Sequence, residues 1–364
     1  MPKPQVRYAV IGLGHIAQVA VLPAFANAKR NSRLAALVSG DPVKRRTLSE
    51  RYGVERAYAY DELDECLRHV DAVYIALPNS LHCEYAVRAA RAGKHVLCEK
   101  PMALTEEECA RMDRAAREAG VRLMVAYRLH FERANLEAIA IARSGRLGEP
   151  RLFSADFTMQ VVPGNIRVRR GTGGGVLYDI GVYCINAARA LFGDEPVEVR
   201  AMTAGRAGEV EQAVSALLRF PGDRLAAFTC SFGAADVSEY RLVGTKGDLV
   251  VEPAFEYAVP LKHRLTLGGE PRERRFAKRD QFAPELLYFS DCVLRGHDPE
   301  PGAEEGLADV RVIRALYESA QRGAPVELPP FERRDRPSLE QEIRRPPVEK
   351  PAVVHAQAPS GGHS

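Results

Sequence analysis

Five apolar runs of strand length recur through the first third of the chain: "RYAVIG", "RLAALVS", "DAVYIALP", "KHVLCEK" and "RLMVAY". Helical stretches separate them near 15–28, 42–52, 81–92 and 105–119. Apolar residues fill each run without alternation. A strand of that kind is buried on both faces, and helices between parallel strands supply the cover. The pattern predicts an α/β chain that begins with a doubly wound parallel sheet over residues 1–127.

The pattern then changes. After a helix near 132–143 and an apolar helix around "VLYDIGVYCINAA", strand-like runs follow one another: "RLFSADFTMQ", "VEVRAMTA", "VSALLRF", "LAAFTCSF", "EYRLVGT" and "DLVVE". Short turns such as "PGDR" and "TKGD" join them. This predicts a second, α+β domain over 128–330 with a large, mostly antiparallel sheet that has one covered face. Two helices near 284–295 and 304–322 are expected to close it. From 331 to 364 proline, charge and a Gly/Ser end read as a tail or arm outside the core.

Bulk properties narrow the function. A length of 364 residues suits two domains, and 46% hydrophobic residues is enough for sizeable cores. The net charge of +3 arises from mixed signs with no basic block, so neither nucleic acid nor a membrane surface is an expected partner. Seven scattered cysteines without a CxxC pair point to reduced thiols, with no disulfide framework and no metal site. A strand predicted almost at the first residue leaves no room for a secretion signal, and the expected location is cytoplasmic.

The first strand runs into "VIGLGHIA", which places Gly12, Leu13, Gly14, His15 and Ile16 in a turn that opens a helix. The first glycine permits the tight turn, the second lets backbone approach a pyrophosphate, and small Ala17 lets helix and strand pack closely. Strand two ends in "LVSGDPVKRR". An acid that binds the adenosine ribose of NAD is expected there, about 20 residues after the glycines. Ser39 and Gly40 stand in its place, with Lys44 close behind. A hydroxyl and a cation suit the 2′-phosphate of NADP, which a carboxylate would repel. NADP is therefore preferred, with NAD as the alternative. Asp41 comes two residues late and fits an N-cap of the next helix, and Arg45 and Arg46 fit a solvated helix face.

Two further stretches carry chemistry. "CEKPM" ends a parallel strand at the carboxyl edge, where ligands bind in such sheets, and puts Glu99 and Lys100 there. In "VLYDIGVYCINAA", Asp179, Tyr183 and Asn186 recur at i, i+4 and i+7 and share one face of a helix.

With those residues in view, the chain resembles the Gfo/Idh/MocA oxidoreductase family, and most of all its glucose–fructose oxidoreductase branch. "DAVYIALPNSLH", "AGKHVLCEKPM", "YRLHF", "GGGVLYDIGVYCIN" and "VGTKGDL" carry the resemblance, which covers most of residues 6–328. It implies an N-terminal Rossmann domain, and a C-terminal domain whose open sheet face forms a homodimer or homotetramer. It also implies NAD(P)-dependent hydride transfer on sugars or related alcohols. Lys100, Asp179 and Tyr183 fall on the family's catalytic positions. Leu77, Pro78, Asn79 and His82 fall on its cofactor-lining segment. Arg128 and Arg167 fall on positions near cofactor or sugar.

The chemistry agrees with that placement. Oxidising an alcohol needs a base, and a nearby ammonium makes a tyrosine, ordinarily of pKa about 10, a better one. Tyr183 is thus the expected proton acceptor or donor, with Lys100 tuning it and Asp179 orienting the substrate hydroxyl or the lysine. Ile166 replaces a tryptophan that relatives often carry before the Arg167 position, so the sugar pocket is altered. Rival functions are an aldose 1-dehydrogenase or an anhydro-sugar reductase using free cofactor. From another class comes a dinucleotide-binding sensor without turnover, which the intact lysine, aspartate and tyrosine oppose.

Overall fold

The computed structural model describes residues 4–206, 209–333 and 336–360. They form two compact units. The first comprises residues 1–128, 279–306 and 343–358, and the second 129–278, 307–342 and 359–364, less the residues not described.

The first unit is built on six parallel strands, β1 (Val6–Ile11), β2 (Ser32–Val38), β3 (Arg56–Tyr58), β4 (Ala72–Ile75), β5 (His95–Glu99) and β6 (Leu123–Ala126), in the order β3-β2-β1-β4-β5-β6. The five predicted runs supply five of them. The sixth, β3, is three residues long and partly exposed at the edge, so it has no apolar run to betray it. Strand order reverses between β1 and β4, which opens a crevice at their carboxyl ends. Gly12 lies there with φ +93°, and a Cβ on it would sit 2.5 Å from the Ala76 carbonyl oxygen beyond β4. Only glycine lets the two loops pack so closely.

One expected helix belongs elsewhere. Ala283–Arg295, assigned from sequence to the second domain, covers the first sheet. Ser290 Oγ lies 2.8 Å from both the Tyr8 hydroxyl and Ser32 Oγ, and Asn31 donates to the Leu287 carbonyl. Sequence order hides this return, because the helix is amphipathic and fits either sheet. Residues 343–358 also belong to the first unit, although their composition suggested a tail.

The second unit carries a nine-stranded sheet. Its strands are β7 (Pro150–Gln160), β8 (Glu198–Ala204), β9 (Ala213–Phe220), β10 (Arg224–Ser231), β11 (Gly233–Gly244), β12 (Gly247–Val251), β13 (Lys262–Leu267), β14 (Glu270–Arg275) and β15 (Val326–Glu327). The order is β14-β13-β12-β11-β7-β10-β9-β8-β15, antiparallel except for the β7–β10 pair. β9 alternates: Val214, Ala216, Leu218 and Phe220 are buried, while Ser215, Leu217 and Arg219 face out. The one-face-covered sheet expected from sequence is thus present.

Helix Val182–Phe192 packs in this unit and ends in a buried ionic cluster. Arg189, with no exposed surface, donates to both Glu195 oxygens at 2.6 and 2.9 Å and also to Asp309. Arg336 donates to Glu195 at 2.8 Å, and Asn186 to Asp309 at 2.9 Å. Burial works against the Glu195 charge, but Arg189 and Arg336 outweigh it and hold the carboxyl below its usual range. Removing one partner of such a group leaves a buried charge uncompensated. Asp309→Ala should therefore destabilise the second unit by about 3–5 kcal/mol, measured by urea unfolding. A loss below about 1 kcal/mol, the range of exposed pairs, would contradict this account of the cluster.

Candidate active site

In the first unit the glycine turn, the loop after β4 and the end of β5 gather at the carboxyl edge of the sheet. Leu13 and Leu77 are buried, while Gly14, His15, Ile16, Pro78, Asn79 and Lys100 are partly exposed. Gly14 has no neighbour within 4 Å of a notional Cβ, so open space lies above the helix start. Backbone N–H groups at that position favour an anion. This cradle fits a dinucleotide pyrophosphate.

The ribose corner is more elaborate than the sequence suggested. Ser39 is buried and Gly40 exposed. Asp41 caps helix Pro42–Tyr52, accepting from the backbone of Val43 and Lys44 at 2.8 and 3.2 Å. Arg45, expected on a solvated face, instead turns back to donate to the Ser39 carbonyl at 2.6 Å. Arg46 is exposed. A cation therefore stands against Ser39, but it is Arg45 as well as Lys44 that supplies positive charge to this corner.

Three residues expected at the cofactor are turned into the protein instead. His82 is wholly buried, with Nδ1 2.9 Å from the Pro101 carbonyl and Nε2 2.9 Å from the Leu77 carbonyl. It joins the loop after β4 to the loop after β5. Burial pushes its pKa down, against the pull of the two carbonyls. Glu99 is also turned inward: the Tyr74 hydroxyl donates to its carboxylate at 2.8 Å. Burial raises the Glu99 pKa, opposed by the charges of Lys100 and Arg128. Arg128 is itself buried and donates to Gln281. These three residues shape the edge from behind. Sequence reasoning missed Glu285, whose buried carboxyl lacks a hydrogen-bond partner among the described residues and is driven far towards the neutral form by burial.

In the second unit the helix over 176–192 begins with a π turn at Leu177–Gly181. Asp179 lies in that turn, one residue out of step with an α-helix. Its Oδ2 accepts from Arg167 Nε at 2.7 Å, in a pair only partly exposed. Arg167 thus reaches the predicted site through Asp179. The glycine run explains the approach: a Cβ on Gly174 would lie 2.3 Å from the Arg167 carbonyl oxygen. Tyr183 is partly exposed, its ring edge-on to Phe157 at 5.7 Å and tilted against Phe255 at 5.9 Å. Asn186 departs from the expected polar face. It is buried, bonded to Asp309 and 2.9 Å from His130 Nε2. Arg169, Arg170 and Ile166 are exposed.

The model of an oxidoreductase family with an NAD-binding Rossmann fold matches residues 6–127, and that of the Gfo/Idh/MocA C-terminal domain matches 135–250. The chain belongs to the Gfo/Idh/MocA oxidoreductase family. It is similar to an NADP-dependent D-xylose 1-dehydrogenase of Haloarcula marismortui, with 34% identity over 89% of this chain and 93% of that one. Among solved structures it resembles an aldose–aldose oxidoreductase from Caulobacter crescentus complexed with glycerol. The TM-score is 0.85 at 41% identity, over 89% of this chain and 100% of that one. It also resembles a 3-ketoreductase from Actinomadura kijaniata in complex with NADP and TDP-benzene, with TM-score 0.81 and 31% identity over 86% and 98%.

The two glycines of this Gfo/Idh/MocA chain should respond differently to substitution. Gly12→Ala forces a left-handed alanine onto the Ala76 carbonyl and should cost about 1–3 kcal/mol of stability. Gly14→Ala puts its Cβ in open space, so stability should hold within about 0.5 kcal/mol, while dinucleotide affinity falls more than about tenfold, a loss of about 1.4 kcal/mol or more. Unfolding curves and calorimetric titration check both. Equal effects at the two positions would contradict the assignment of Gly14 to the cradle.

Proposed function

We propose that this protein is an NADP-dependent aldose oxidoreductase that transfers hydride between the anomeric carbon of an aldose and the nicotinamide. The observation that carries the proposal is a catalytic-type helix, with ion-paired Asp179 and partly exposed Tyr183, in a chain that also bears a dinucleotide cradle and Lys100 at the same sheet edge. The similarity to NADP-dependent xylose 1-dehydrogenases and to an aldose–aldose oxidoreductase supports the substrate class. Ser39, Lys44 and Arg45 support NADP: no carboxylate replaces Ser39 at the strand end, and two cations follow it.

NADP, when bound, is the hydride acceptor. The chain supplies the remaining steps. Tyr183 takes the proton of the anomeric hydroxyl as the C–H bond breaks, and returns it in the reverse direction. Lys100 supplies the cation that polarises the substrate oxygen. Asp179 accepts a hydrogen bond from a sugar hydroxyl, and Arg167 holds that carboxylate in place. Phe157 and Phe255 fix the tyrosine ring, so only its hydroxyl need be mobile.

A self-associating protein is part of the same proposal. On the outer face of the nine-stranded sheet, Met202, Leu217, Leu152 and Leu225 are 77, 57, 51 and 50% exposed. Leu152 and Leu225 pair directly across β7 and β10. Apolar side chains grouped on one sheet face mark an interaction site, and a second copy of the chain is the proposed occupant. A reducing, cytoplasmic setting suits the seven buried, unbridged cysteines.

The activity test mixes the protein with glucose, xylose and other aldoses, with and without added NADP⁺, and follows reduced-nicotinamide absorbance. Turnover that needs added NADP⁺ indicates exchangeable cofactor, while a stoichiometric rise without it, reversed by fructose, indicates a glucose–fructose oxidoreductase cycle. Tyr183→Phe should lower kcat by about 10²–10⁴-fold while the fold is retained. Unchanged turnover would remove Tyr183 from the chemistry. For association, Leu217→Asp with Leu225→Asp should reduce the mass in light scattering to that of a monomer. An unchanged oligomer would exclude this sheet face.

A further inference from the structure

The ribose corner of the first unit includes a residue from the far end of the chain. Residues 343–358 belong to this unit and lie outside both matched family segments. They are fastened to it by specific bonds. Arg51 donates to the Ala352 carbonyl at 2.7 Å. Gln18, with no exposed surface, accepts from the Val354 N–H at 2.7 Å and donates to the Val354 carbonyl at 2.9 Å. The same Gln18 amide donates to the Leu13 carbonyl at 2.9 Å, inside the glycine turn. A buried side chain therefore ties Val354 to the pyrophosphate cradle.

The next residue, His355, holds φ at +45°, a conformation that is costly for a residue with a side chain. In that position its Nδ1 donates to Asp41 Oδ2 across 2.9 Å. The other Asp41 oxygen is taken by the helix cap, and the Asp41 N–H reaches back to Ser39 Oγ at 3.2 Å. The imidazole, with the two capping N–H groups, also holds the Asp41 carboxyl below its ordinary pKa. Asp41 stands two residues beyond the position at which an acid would select NAD. Left with one open oxygen beside Ser39, it would favour a ribose hydroxyl and repel a phosphate. Paired with His355, that oxygen is occupied by an N–H donor and is no longer open to a ribose hydroxyl.

We propose that His355 is a specificity-determining residue of the cofactor site: by covering Asp41 it lets the ribose corner prefer the 2′-phosphate of NADP to the 2′-hydroxyl of NAD. This rests on the NADP assignment made above and adds to it a residue that no part of the Rossmann sequence supplies. His355 acts on selectivity through Asp41, so its effect must vanish when that charge is absent.

Calorimetric titration of the full chain with NADP⁺ and NAD⁺ tests this without any turnover. His355→Ala should weaken NADP⁺ about fivefold, the net range of one hydrogen bond, and leave NAD⁺ within about twofold. In an Asp41→Asn background, which keeps the helix cap, His355→Ala should leave the NADP⁺/NAD⁺ ratio unchanged. Circular dichroism confirms that each variant is folded. An unaltered ratio for His355→Ala alone, or the same change in both backgrounds, would overturn the inference. Wild-type protein that binds both dinucleotides alike would instead overturn the NADP assignment itself, before any variant is measured.

Discussion

A guanidinium with no access to water anchors the helix that carries Asp179 and Tyr183 in the second unit. Arg189 is fully buried, and Glu195 and Asp309 are brought to it from outside its helix. Desolvating three charges is expensive, and the cluster is tolerable only with every partner in place. Its value here is positional. One turn back, Asn186 joins the same cluster through Asp309 and also meets His130. Tyr183 lies a further turn back, gripped by Phe157 and Phe255. The end of the helix is therefore fixed by charge and its middle by packing, while the π turn at its start offers Asp179 to Arg167.

The first unit solves a comparable problem with buried hydrogen bonds. The loops after β4 and β5 must present backbone and Lys100 at one edge, and His82 holds them from inside through two carbonyls. Behind Lys100, Glu99 is covered by Tyr74, and burial drives the Glu285 carboxyl towards its uncharged form. Groups of this kind cannot be read as ligand contacts. They set the shape of the edge against which a dinucleotide would lie.

What could be read from the sequence follows from these differences. Continuous apolar runs identify β1, β2, β4, β5 and β6, because burial on both faces leaves a signal in every residue. The edge strand β3 and the wholly exposed β14 carry no such signal. Asp179 and Tyr183 were visible as polar residues in an apolar helix. Asn186 looked identical and proved to be core, since a satisfied buried amide and a cleft-facing one share the same spacing. Arg45 could not be told from its solvated neighbour Arg46, because the turn back to Ser39 is a tertiary choice of rotamer. Least legible was the end of the chain. Proline and charge describe a segment that builds no core of its own, but they do not say whether another surface holds it.

Hydride transfer from an aldose to NADP is the activity proposed for this Gfo/Idh/MocA chain. The most direct measurement supplies D-xylose and D-glucose deuterated at C1, with NADP⁺, and weighs the reduced cofactor by mass spectrometry. One deuterium in the cofactor is expected for each sugar oxidised. Unlabelled reduced cofactor, or no reduced cofactor with either sugar, would contradict it.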